Sequence, residues 1–141
     1  MSISGSDFTD ITAVASTGLT SNQFYLIRST GVDSTYSGGN LTALLAVGST
    51  GGANGVKGVL QNDPDTGQAA ILRVRGLTKV VAGAAIAVGD LLGCSTGGTA
   101  IVADTTGEWF WGKAESASTA SGQIISARVF GGLAPFMGST A

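Results

Sequence analysis

Three observations predict an all-β chain, a compact sandwich or partly open barrel of about eight to ten short strands. A ten-residue phrase occurs twice, as GQAAILRVRG at 67–76 and as GQIISARVFG at 122–131. Within each copy apolar and polar residues alternate with the period of a strand. Ala70, Leu72 and Val74 fall on one face in the first copy, as do Ile125, Ala127 and Val129 in the second. Glycine is 23 of 141 residues and charged residues are 11%, a composition suited to short elements and many turns. The repeat extends beyond the phrase: Gly58 answers Gly112, Leu19 answers Ile86, and Phe24-Tyr25 answers Leu91-Leu92. The expectation is a single β domain over 19–141, built from two related units at about 19–77 and 86–133, with an extended N-terminal arm over 1–18.

Along the chain, residues 1–18 are mostly Ser, Thr, Asp, Ala and Gly with isolated apolar residues, the pattern of an arm. FYLIR at 24–28 has the aromatic and β-branched content of a strand. LTALLAV at 41–47 has helix-forming residues, but glycines crowd it on both sides and favour a strand or irregular turn. VKGVLQ (56–61) and QAAILRVR (68–75) flank DPDTG, where Pro presets the turn and Gly67 supplies positive φ, so the two form a hairpin. KVVAGAAIAVGDLLGCS (79–95) reads as two strands around a bend at Ile86, because Gly83 and Gly89 oppose an Ala-rich helix. Residues 97–107 add a strand and a turn, and EWFWGKA (108–114) should pair with the second copy of the repeat.

Net charge is −2 and no basic stripe exists, so nucleic-acid binding is not expected. The longest apolar run, Val80 to Val88, is far too short to span a bilayer as a helix. The first ten residues lack the features of a signal peptide, and the single Cys94 allows no internal disulfide; a reducing cytosol is the expected site of folding. A surface so poor in charge predicts assembly rather than a free monomer.

Reactive chemistry is sparse. No histidine is present, which removes the commonest general base and the usual zinc ligands. Cys94 has no adjacent base and reads as a structural thiol. Asp63 and Asp65 read as turn formers, since a calcium site needs more oxygen ligands than their loop offers. GSTGGANGVKG (48–58) lacks the Gly-Lys-Ser/Thr ending of a phosphate loop. No cofactor, metal or catalytic residue is expected. Candidate sites are instead contact surfaces. On the arm, Ile3, Phe8 and Ile11 are candidates for contact with a partner surface. Trp109 and Trp111 share one face of their strand, which either fills the core or anchors a subunit interface. Arg73 and Arg128, with Arg75, occupy the outward face of the repeated strands and suit inter-subunit pairing with carboxylates.

Residues 76–104 (GLTKVVAGAAIAVGDLLGCSTGGTAIVAD) and 108–132 (EWFWGKAESASTASGQIISARVFGG) resemble the small capsid cement, or head decoration, proteins of tailed bacteriophages. The resemblance rests on Ala82 to Asp90, Leu91-Leu92, Gly98 to Ala100, Gly112 to Ala114 and Gly122 to Val129, and it covers roughly residues 56–132. The preceding hairpin, GVKGVLQNDPDTGQAAILRVRG, is similar to that of lambda-type decoration proteins. The resemblance implies a non-enzymatic virion protein, a homotrimer assembled in the host cytoplasm and seated on the outer surface of the head. There it would clamp neighbouring major capsid subunits, with no nucleic acid or membrane as partner. The other reading of these residues is a carbohydrate- or receptor-binding β module of a phage fibre or cell surface. Exposed tryptophans would mark it.

Overall fold

The computed structural model describes residues 8–29, 42–45, 56–104 and 109–135. These form nine strands and no helix: β1 (Thr9–Ala15), β2 (Leu26–Arg28), β3 (Thr42–Leu45), β4 (Val56–Leu60), β5 (Ala69–Val81), β6 (Leu91–Cys94), β7 (Ala100–Val102), β8 (Trp109–Ala114) and β9 (Ile124–Pro135). The all-β expectation holds. Two strands are longer than expected, however: β5 has 13 residues and β9 has 12.

Strand pairing closes into two rings that share β5. In the first, β1 pairs with β3 in parallel, β3 with β2, β2 with β4 and β4 with β5, all antiparallel. The N-terminal part of β5 then returns to β1, with Leu72 opposite Ile11. In the second, the C-terminal part of β5 pairs with β9, β9 with β8, β8 with β6 and β6 with β7. A parallel bridge from Ala100 to Ala82, just past the end of β5, closes this ring. The order of strands and the single parallel contact are the same in both.

The repeated phrase acquires a physical meaning here. Gly67 and Gly122 both sit at positive φ, 85° and 93°. Their N–H groups donate to the carbonyls of Ala15 and Ala82, each at 2.8 Å. The following glutamines cap the turns that precede them: Gln68 Oε1 accepts from the Asp65 N–H and Gln123 Oε1 from the Thr119 N–H, both at 2.8 Å. Gly-Gln thus starts the last strand of each ring and ties it to the first.

Each ring has its own core. The first is filled by small and aliphatic side chains, among them Ala13, Ala15, Ile27, Leu60, Ala70 and Leu72. The second contains Val80, Leu92, Cys94, Trp111, Ile125 and Ala127, and it also receives Leu26 and Val59 from the outer face of the first ring. The buried thiol of Cys94 belongs to this second core.

The expected arm over residues 1–18 does not hold for its described part. Residues 9–15 are β1, a wall of the first barrel, and Ala13 and Ala15 are fully buried. Leu19, the first residue assigned to the β domain, is buried in the same core. The reason is steric: this wall packs through alanines, so it lacks the bulky residues by which a core strand is recognised. Only residues 1–7 could form an arm, and they lie outside the described residues.

Candidate interaction surface

The two barrels part at Gly76. β1 lies along one edge of β5 as far as Arg75, where Thr9 is its partner, and β9 takes over the same edge from Gly76, where Val129 is its partner. Gly76 has φ 103°, a conformation that a side chain would oppose. Beyond Val129, β9 peels away from β5. A cleft of about 480 Å³ opens in the fork, walled by Phe8, Thr9, Arg75, Leu77, Arg128 and Phe130.

Its walls are partly apolar and partly cationic. Phe8, Leu77 and Phe130 are 39%, 45% and 42% exposed, unusual for three large apolar side chains around one opening. The Phe130 ring is held edge-on against Phe110, with centroids 5.9 Å apart and planes at 88°. Arg75 is exposed and makes no hydrogen bond or ion pair among the described residues. Among the described residues the Arg128 side chain pairs with Glu115, with Nε 3.7 Å from Oε2 and both side chains more than 40% exposed.

Arg73, at the equivalent position of the first repeat, differs in every respect. Its Nε and Nη2 donate to the two carboxylate oxygens of Asp10 at 2.8 and 3.1 Å, and Nη1 donates to the Leu77 carbonyl at 2.9 Å. Its guanidinium also lies 3.9 Å from the centre of the Phe8 ring. Arg73 is therefore a structural clamp that fastens the start of β1 to β5. Two substitutions separate these roles. Asp10→Ala should lower stability by about 1–2 kcal/mol, because it strands a partly buried, bidentate guanidinium. Glu115→Ala should change it by less than ~0.5 kcal/mol, as expected of an exposed pair. Urea unfolding of both variants checks this, and equal effects would refute the distinction.

The other sequence candidates divide. Phe8 stands at the cleft mouth. Ile11 is half-buried and packs on the first core instead of offering a free contact. Ile3 lies outside the described residues. Trp111 is 2% exposed, and its indole N–H donates to the Gly93 carbonyl at 2.9 Å, so it fills the second core and has no surface to give a second subunit. The backbone of Trp109 pairs with Pro135, while its side chain lies outside the described residues. Sequence reasoning named Arg75 but missed Leu77 and Phe130 as its companions. The signal available was their outward parity on strands of otherwise alternating pattern.

Asp63 and Asp65 stand in the β4–β5 turn, where Asp65 Oδ1 accepts from the Thr66 N–H at 2.7 Å. Among the described residues no group of three or more Cys, Asp or Glu side chains could hold a metal ion. The described residues thus form a pair of barrels with a partly apolar, partly cationic cleft at their fork.

No protein-family profile matches the chain, and no curated protein matches it in sequence. Among solved structures it is similar to the N base of head fiber gp8.5 of bacteriophage phi29, with a TM-score of 0.62 and 21% identity. The match covers 86% of this chain and 93% of that one. At that identity the likeness establishes a shared fold.

Proposed function

We propose that this protein is a non-enzymatic structural component of a tailed-phage head, a decoration subunit on the outer surface of the capsid that bridges major capsid subunits. The observation that carries the reading is the fold shared with a head-fibre base over nearly the whole length of both chains. The cement-protein motifs of residues 76–132 agree with it, and so do the low charge and the exposed apolar side chains. In this reading the protein acts as a homotrimer. Each copy adds a modest interface across a boundary between capsomers, and symmetry multiplies the gain over the shell. The proposed contacts are the segment preceding β1, with Ile3 and Phe8, and the cationic cleft face with Arg128.

The test uses undecorated heads of the phage that encodes the chain. The full-length protein should bind them saturably, at a fixed ratio to capsid subunits, and raise the temperature at which the heads disrupt. Deleting residues 2–7 should weaken occupancy while the soluble protein stays folded. In solution, light scattering should give three times 13.9 kDa. Absence of saturable binding to heads would sink the decoration reading. A carbohydrate- or receptor-binding fibre module is the second reading, supported by the exposed rings of Phe8 and Phe130, and binding to a glycan array would favour it.

A further inference from the structure

We infer that the cleft at the fork of β5 and β9 binds a phosphate monoester, its dianionic head between Arg75 and Arg128 and its apolar body against Leu77 and Phe130. The strand register sets out the site. Leu77 stands directly opposite Arg128, and Gly76 directly opposite Val129. Side chains two apart share a face of a strand, so Arg75 joins Leu77, and Phe130 joins Arg128, on the outer face. The four form a patch where the strands part, with the guanidiniums on one diagonal and the apolar groups on the other. Phe8 stands at the mouth. A cleft of about 480 Å³ has the size of a small-molecule pocket. Apolar walls with a few convergent polar groups are the usual make-up of such a pocket.

Charge on this face is unbalanced. Lys113 lies directly opposite Arg128 on β8, and Lys79 is two residues beyond Leu77 on β5. Four of the chain's seven basic side chains thus gather on one face, although the net charge is −2. Like charges directly opposite on neighbouring strands repel. Among the described residues Glu115 is the one carboxylate paired with any of the four, at 3.7 Å and exposed. A bound anion would relieve the repulsion that the fold leaves standing. Guanidinium groups suit this role, because each can donate two parallel hydrogen bonds to phosphate oxygens. Two of them match the two charges of a phosphate monoester, whereas a monoanion would leave one unmet. Arg73 shows the contrast, since both carboxylate oxygens of Asp10 already occupy its guanidinium. The inference does not rest on the capsid reading, because it concerns a small ligand and the isolated protein.

The experiment titrates the full chain with phenyl phosphate by isothermal calorimetry, at pH ~8, where the phosphate is a dianion. Saturable binding should appear. Inorganic phosphate should bind about tenfold more weakly, for want of the ring. Phenyl sulfate, a monoanion of similar shape, should also bind about tenfold more weakly. Arg75→Gln and Arg128→Gln, both at exposed positions, should each weaken phenyl phosphate binding about tenfold or more. Neither should shift the urea midpoint appreciably. Glu115→Gln should tighten binding about twofold or more, because it releases Arg128 and removes a like charge from the ligand's surroundings. That gain keeps the test decisive should an arginine variant fail to fold. Absence of saturable binding, equal affinity for phenyl sulfate, or wild-type affinity in both arginine variants would each overturn the inference. Equal affinity for inorganic phosphate would also overturn it, by making the occupant a free ion. Heads are absent from the assay, so its failure leaves the capsid reading standing, and failure of head binding leaves this inference standing.

Discussion

Trp111→Ala should lower the stability of the folded chain by about 3–5 kcal/mol, the range for removing a large aromatic from a core. Trp111 is the largest side chain of the second core and is 2% exposed among Val80, Leu92, Ile125 and other short aliphatic residues. Alanine at this position would leave a void that a ring of hydrogen-bonded strands cannot collapse to fill. It would also remove the indole donor from the Gly93 carbonyl, 2.9 Å away. For a domain whose whole stability is about 5–15 kcal/mol, that loss brings the protein close to unfolding. Urea denaturation measures it as a lower midpoint at an unchanged slope. Trp111→Phe separates the two contributions, since it keeps most of the volume and loses only the hydrogen bond, at about 1–3 kcal/mol. Phe130→Ala, on the exposed face of β9, should cost less than either. A Trp111→Ala variant as stable as Phe130→Ala would show that the indole is not the centre of the core.

A second large effect is expected at two glycines that the repeat makes equivalent. A Cβ at Gly58 would stand 2.7 Å from the Arg73 carbonyl oxygen, and one at Gly112 would meet the carbonyl oxygen of Arg128. Arg73 and Arg128 occupy the same place in the two copies of the phrase, so the same close approach of neighbouring strands has been built twice. The obstacle is backbone, which no rotamer change can move. Gly58→Ala and Gly112→Ala should therefore each cost about 3 kcal/mol, at the upper end for overpacked sites. Gly89→Ala provides the contrast: φ there is 93°, but nothing lies within 4 Å of the added methyl. Its cost is conformational, about 1–2 kcal/mol. Urea midpoints of the three variants should rank accordingly. If Gly89→Ala proved the most damaging, the close approach of β8 to β9 and of β4 to β5 would be wrong.

Much of this architecture is legible in the sequence because it is local or repeated. The parity of residues 70–74 and 125–129 anticipates which face is buried, and the Pro-Asp-Thr-Gly turn anticipates the β4–β5 hairpin. The doubling of Gly-Gln and Arg-Val signals two related units. Closure of each unit is not legible. It depends on parallel contacts, Val14 with Thr42 and Ala82 with Ala100, made across long intervals by residues that carry no pairing signal of their own. β1 escapes notice because alanines line its inner face. In the candidate site, alternation puts Trp109 and Trp111 on one side of their strand but cannot tell whether the chain itself covers that side. It also makes Arg73 and Arg128 equivalent, whereas Asp10, 63 residues away in sequence, claims one of them.

β5 is the last wall of one barrel and the first wall of the next, a single run of 13 residues with no linker between them. Two domains joined by a flexible tether can be divided by a protease or swivel under load. Here any cut or tilt between the halves would have to break a strand hydrogen-bonded along both parts of its length. A tension applied across the molecule would therefore pass from one barrel to the other through covalent backbone, not through a seam of side chains. On this connectivity the pair should carry load as a single girder.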